Sequence, residues 1–167
     1  MEMITDKASV IDVGSGAGLP GIPLALARPD LTVILVDSLA RRTTFLDEVV
    51  DDLGLADRVS VTRGRAEELA GKLALADVVT ARAVAPLDRL AAWCLPLLAV
   101  GGRLLAVKGA SAEEEVATHR STINRLGGSD PVVHLCGDGL LDEPTTVVEV
   151  RERGSARSQP AVRRRRR

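Results

Sequence analysis

The sequence predicts a doubly wound α/β domain whose seven-stranded, mostly parallel sheet ends in a β-hairpin. Three observations carry that prediction. Short apolar, β-branched runs alternate with helical segments five times; a glycine-rich turn joins the first run to the first helix; and the last two runs follow one another with no helix between them.

The strands are expected at Ser9–Val13, Leu31–Val36, Val59–Thr62, Asp77–Ala81 and Arg103–Val107, each apolar and β-branched enough to be a buried strand. Between them, Pro20–Ala27 keeps its prolines in the first turn, where a missing N–H costs nothing, and stops before Pro29. Leu39–Leu53 places Leu39, Leu46, Val49, Val50 and Leu53 on one helical face and ends at Gly54. Ala66–Leu73 and Pro86–Leu98 read as the next helices, the second closing before Gly101 and Gly102. Ser111–Leu126 aligns Ala112, Val116, His119, Ile123 and Leu126, with Ser111 as the expected cap. Pro131–Cys136 and Thr145–Val150 then lack a connecting helix, so they should pair antiparallel or insert beside one another. A terminal hairpin is the mark of the Rossmann-like class I methyltransferase fold, where a dinucleotide-binding domain continues with a sixth parallel strand.

Composition bounds the rest. The 167 residues are 46% hydrophobic and 27% charged, ordinary values for one globular domain. No stretch reaches the roughly 18 to 20 apolar residues of a membrane span. The charged N-terminus does not read as a secretory signal, so a cytoplasmic location is expected. The two cysteines exclude a disulfide framework or a cysteine-built zinc site. The net charge of −1 conceals an asymmetry: residues 151–167 hold eight Arg and one Glu, while residues 1–150 hold 14 basic and 22 acidic residues. The expected division is a domain over 1–150 and a basic, disordered tail over 151–167, serving as an electrostatic arm for a polyanion or merely as a solvated terminus. One Phe, one Trp and no Tyr leave no platform of stacked aromatic rings for base recognition.

The turn after the first strand, Val10 to Gly21, reads VIDVGSGAGLPG. Gly14, Gly16 and Gly18 permit a tight turn and close approach of a ligand. The helix that follows at once presents free N–H groups. Asp37 closes the second strand, 23 residues after Gly14, where a carboxylate accepts hydrogen bonds from ribose hydroxyls. Leu19 occupies the position at which a nicotinamide-dinucleotide fingerprint needs glycine. The pattern therefore favours S-adenosyl-L-methionine, which has no pyrophosphate to seat, and Asp12 is placed to bind or orient its cationic amino group.

The strings DVGSGAGLPGIPLALARPD, VDSLARRTTFL, GRAEEL, ARAVAPL and GGRLLAVKG together resemble the RsmG (GidB) family over about Val10 to Val150. That resemblance implies methylation of N7 of one guanine in the 530 loop of 16S ribosomal RNA. It implies contacts to S-adenosylmethionine from Gly14 and Leu19, adenine binding by Ala66 and Glu67, Arg82 over the methyl-transfer site, and Lys108 facing the RNA. Members carry a helical segment before the first strand, whereas eight residues precede Ser9 here. The expectation is a chain without that segment, a departure that bears on catalytic competence and not on fold. The implied partner is 16S ribosomal RNA or the small ribosomal subunit, with no DNA or membrane partner, and the protein is expected to be a monomer.

The lone pair of guanine N7 is free, so no general base is required. Neither an Asn/Asp-Pro-Pro-aromatic motif nor a Pro-Cys nucleophile follows the fourth strand, and orientation is left to supply catalysis. Arg82, at the carboxyl end of that strand, is expected to fix an RNA phosphate or guanine O6 beside the cofactor, with a cofactor contact implied by the resemblance and an ion pair at the domain edge as the alternative. Lys108 is either a substrate-positioning residue or an ordinary surface lysine. Arg41, Arg42, Arg63 and Arg65 reach RNA or form solvated pairs. No metal site is expected, since His134 and Cys136 read as one face of a half-buried strand. His119, Cys94 and Trp93 read as packing residues. A small-molecule methyltransferase and a non-catalytic adenosylmethionine- or RNA-binding module are the competing readings. A dinucleotide-dependent oxidoreductase is disfavoured by Leu19 and the terminal hairpin.

Overall fold

The computed structural model describes residues 3–82 and 84–154. Five strands, β1 (Ser9–Val13), β2 (Thr32–Asp37), β3 (Val59–Arg63), β4 (Ala76–Arg82) and β5 (Leu98–Lys108), lie parallel. They are followed by β6 (Val132–Cys136) and β7 (Thr145–Arg151), and the spatial order is β3-β2-β1-β4-β5-β7-β6. β7 slots antiparallel between β5 and β6, setting Val148 between Ala106 and Val133. The hairpin is thus paired within itself and inserted. The order reverses between β1 and β4, which opens a crevice beyond their carboxyl ends.

Helices α1 (Gly21–Ala27), α2 (Ala40–Asp52), α3 (Ala66–Leu69), α4 (Leu87–Cys94) and α5 (Ala112–Arg125) cover the sheet. Alternate strand residues point to opposite faces. Ile11, Val79, Leu104 and Val148 pack with Leu87, Leu90 and Ile123 in one core, while Val10, Val33, Leu35 and Val78 pack with Ala25, Leu46 and Val50 in the other. Among the described residues no helix is long and apolar enough to cross a membrane.

Several boundaries differ from the sequence reading for local reasons. The helix expected over Ala66–Leu73 ends at Leu69, because Ala70 turns to ψ 124° and Gly71 adopts φ +79°. The helix expected through Leu98 ends at Cys94; Pro96, with no N–H to give, sits in a 3-10 turn over Leu95–Leu97. β5 begins at Leu98 rather than Arg103, the strand passing Gly101 at φ +80° with a shift of register against β4. Ser111 does precede α5, but its hydroxyl lies 3.3 Å from the Glu115 carboxylate and makes no side-chain cap. The domain also runs past residue 150: β7 includes Arg151, and Glu152 exchanges backbone hydrogen bonds with Gly101 and Gly102. The remainder of the expected basic tail, 155–167, lies outside the described residues.

Candidate functional site

The glycine turn is held from below by two buried carboxylates. Gly14 and Ser15 donate their N–H groups to the Val36 carbonyl, and the Ser15 hydroxyl donates to the Asp12 carbonyl. Asp12, 1% exposed, accepts from the Thr80 hydroxyl at 2.7 Å and from the Gly21 N–H at 3.1 Å. Burial pushes its carboxyl above the usual range, against the pull of those hydrogen bonds. One oxygen is engaged by Thr80 and the other by Gly21, so Asp12 fastens the turn to β4 and to the start of α1. A side chain at Gly21 would collide with Leu35 and Asp12, which explains the glycine where α1 starts.

Asp37, 3% exposed, accepts from Leu39 N–H at 2.9 Å, from Gly16 N–H at 3.1 Å and from Arg42 Nη1 at 3.3 Å. A carboxylate offers about four acceptor sites, so one remains for a ligand hydroxyl. Gly14 (φ +70°) and Gly16 (φ +59°) occupy backbone that favours glycine. Gly18 stands apart from the expected ligand contacts: a Cβ there would meet Ile22 at 2.6 Å and Leu46 at 3.3 Å, so packing explains that glycine.

Above the carboxyl ends of the strands runs a trough in successive sections. The first, about 300 Å³, is lined by Gly14, Asp37, Ser38, Ala66, Glu67 and Trp93, among others. Arg65 caps α3 in extended backbone, and its carbonyl accepts from Glu68 and Leu69. The N–H groups of Ala66 and Glu67 are therefore left without an intrahelical acceptor, as the first turn of any helix requires. The next section, about 330 Å³, is lined by Gly14, Ser15, Gly16, Ala17, Leu19, Arg42, Arg82 and Val84. Gly14, Arg42 and Val84 border both sections. Val84 sits over the turn, its Cγ2 2.7 Å from where a Gly14 Cβ would lie.

The fold thus gathers Gly14, Asp37, Ala66 and Glu67 at one section and Gly16, Leu19 and Arg82 at the next. Arg82 is exposed on the rim, and its positive charge helps to lower the carboxyl of buried Asp12 against the effect of burial. Lys108 is placed differently from expectation. Its side chain is 8% exposed, and Nζ donates to the Ala85 carbonyl at 2.8 Å and to Glu115 Oε2 at 2.7 Å. The amine faces the β4–α4 loop and α5. Burial alone would raise the Glu115 carboxyl, but hydrogen bonds from Lys108 and the Leu87 N–H outweigh it and hold it below its usual value.

Trp93 both packs against the core and reaches the first section, with the Arg89 guanidinium 4.9 Å from its ring centroid. The four-residue spacing on one helix was the available signal for that pair. Arg42, read as a candidate for a solvated pair, borders the trough beside Asp37. Arg65 lines it and lies 3.9 Å from Glu67, whereas Arg63 is exposed. His134 bonds Glu149 at 3.0 Å and Cys136 lies 3.6 Å from the Met3 sulfur, so the two side chains have separate partners.

A family model described as rRNA small subunit methyltransferase G matches residues 1–143. The chain belongs to this family. A Salinispora tropica protein named ribosomal RNA small subunit methyltransferase G is 60% identical, over 97% of this chain and 70% of that protein. The proteins of the same name from Corynebacterium efficiens and Streptomyces avermitilis are 55% and 54% identical, over 90% and 89% of this chain and 65% and 62% of their own length. Among solved structures, an O-methyltransferase of neocarzinostatin biosynthesis in complex with S-adenosylmethionine superposes with a TM-score of 0.68 at 20% identity. It covers 85% of this chain and 48% of that one. A precorrin-6y C5,15-methyltransferase from Geobacter metallireducens gives 0.65 at 13% identity, covering 89% and 81%. These structures establish the Rossmann-like class I methyltransferase fold.

Proposed function

We propose that this chain transfers a methyl group from S-adenosylmethionine to N7 of a guanine in the 530 loop of 16S ribosomal RNA. The observation that carries the reading is the make-up of the second section of the trough. Its only titratable side chains among the described residues are Arg42 and Arg82, neither of which is a base at neutral pH. A hydroxyl or exocyclic amine acceptor would have to lose a proton, whereas guanine N7 offers a free lone pair and loses none. The family's name supplies the class of RNA.

The residues of the first section fit the cofactor. The free N–H groups of Ala66 and Glu67 suit the adenine, the remaining acceptor site of Asp37 suits a ribose hydroxyl, and Gly14 keeps the floor clear of a Cβ. Leu19 lines the neighbouring section as an apolar wall. Once bound, the cofactor supplies an electrophilic methyl group on a sulfonium. Arg82 orients the RNA by a phosphate, not by the base, because methylation places positive charge on the guanine ring and a guanidinium beside O6 would oppose it. Lys108 and Glu115 position the loop that follows Arg82 without touching substrate. The protein is proposed to act as a monomer in the cytoplasm.

The test is transfer of labelled methyl from S-adenosylmethionine to unmethylated small-subunit rRNA and particles, followed by nucleoside analysis. Label in 7-methylguanosine is expected. Label in another nucleoside, or none despite binding of S-adenosylhomocysteine, overturns the reading.

A further inference from the structure

Beyond the glycine turn the trough continues onto α2. There Gly16, Ala17, Leu39, Arg41, Arg42 and Phe45 enclose a shallow groove of about 560 Å³. Phe45 is the one Phe of the chain, yet it is 44% exposed, and Leu39 beside it is 52% exposed. The core does not use this face of α2, whose buried residues are Thr43, Leu46 and Val50. Arg41 lies one turn before Phe45 on the same face and forms no ion pair among the described residues. The charges of α2 run against its dipole: the first turn holds Arg41 and Arg42 and no acid, while Asp47, Glu48, Asp51 and Asp52 occupy the later turns. In a domain with excess negative charge, cations gathered where helix electrostatics resists them mark the side of the groove that meets an anion.

We infer that this groove seats an unpaired nucleotide next to the target guanine, the Phe45 ring stacking its base and Arg41 meeting its phosphate. The assignment rests on the reading that the substrate is RNA. The major groove of an A-form duplex is too deep and narrow for side chains to reach N7, so the target has to come from an unpaired or splayed segment. A base drawn out in this way leaves its neighbour without a stacking partner, and an exposed aromatic ring flanked by arginine replaces one. Gly16, Ala17 and Arg42 border both this groove and the section that holds Leu19 and Arg82, so adjacent nucleotides of one strand would occupy adjacent sections.

The experiment measures equilibrium binding of the full chain, saturated with S-adenosylhomocysteine, to protein-free unmethylated small-subunit rRNA. The variants are Phe45→Ala, Phe45→Trp and Arg41→Ala, and S-adenosylhomocysteine affinity is measured separately by calorimetry. Phe45→Ala is expected to weaken RNA binding about tenfold, and Phe45→Trp to retain wild-type affinity. Arg41→Ala is expected to weaken binding and reduce the slope of log affinity against log salt by about one. Cofactor-product affinity stays unchanged in all three. Unchanged RNA affinity in Phe45→Ala overturns the assignment, as does a loss mirrored by lost S-adenosylhomocysteine binding. A loss seen only with protein-containing particles assigns the patch to a protein contact and overturns it too. If the wild-type chain binds no rRNA while binding S-adenosylhomocysteine, the RNA reading falls and the groove assignment falls with it.

Discussion

Two loops face each other across the trough, and they are built to different standards of rigidity. The turn after β1 rests on Asp12 and Asp37, 1% and 3% exposed, which between them accept from Thr80, Gly21, Gly16, Leu39 and Arg42. The loop after β4 is tied by the Lys108–Glu115 pair, reaching Ala85 and Leu87 from β5 and α5. One wall is wired from beneath by its own strands; the other hangs from a partly exposed ion pair. The contrast suits a site that keeps a preformed cradle for a small cofactor and a more adjustable wall, carrying Arg82 and Val84, for a large substrate.

The largest expected effect comes from unwiring the first loop. Asp12→Ala leaves the buried Gly21 N–H and Thr80 hydroxyl without their acceptor, at a cost of about 3 kcal/mol. Chemical denaturation should show that loss, and S-adenosylhomocysteine binding should fall with it; a stable variant with intact binding would break the comparison. On the opposite wall, Arg82→Ala should lower methyl transfer about a hundredfold while leaving the denaturation midpoint unchanged. Full activity in that variant would remove Arg82 from the site.

A smaller effect is expected from Lys108→Met, about 2 kcal/mol once the partial exposure of Glu115 is discounted. The pH dependence has a definite sign. The folded protein holds the Glu115 carboxyl below its ordinary 4.5, so the pair contributes stability above that value and loses it as pH falls through the lower folded value. The Lys108→Met protein should therefore lose less stability on acidification than the wild type, and urea titrations at pH 7 and below 4.5 compare the two. The smallest effect is a labelling rate. Burial pushes the Cys94 thiol up to about 12, so at neutral pH it should react far more slowly than half-buried Cys136. Because Cys94 lies in α4, Lys108→Met should accelerate its labelling, as read by mass spectrometry, and leave Cys136 unaffected.

Much of the fold was legible because apolar, β-branched runs mark strands, from the buried β1 and β4 to the half-buried β6. Ser9–Val13 coincides with β1, whereas β5 was read five residues short at its start because Gly101 and Gly102 look like a turn and instead form a bend within a strand. Along the trough, Gly14, Asp37 and Arg82 were legible as a glycine turn and strand ends, whereas Leu19 as a cofactor contact, Ala66 and Glu67 followed only from the family resemblance. Lys108 was misread for the complementary reason. Its position at a strand end is visible, but its partner Glu115 belongs to another element, and side-chain direction follows from that partner.

The sequence by itself determined the class of fold and the strand ends that line the trough, because hydrophobic periodicity and glycine placement are local properties of the chain. Only the tertiary structure decided which charges are available. Lys108 is engaged in hydrogen bonds inside the domain, while Arg41 and Arg82 are left facing the trough. Ionisable groups acquire their roles from neighbours distant in sequence, and only packing brings those neighbours within hydrogen-bonding reach.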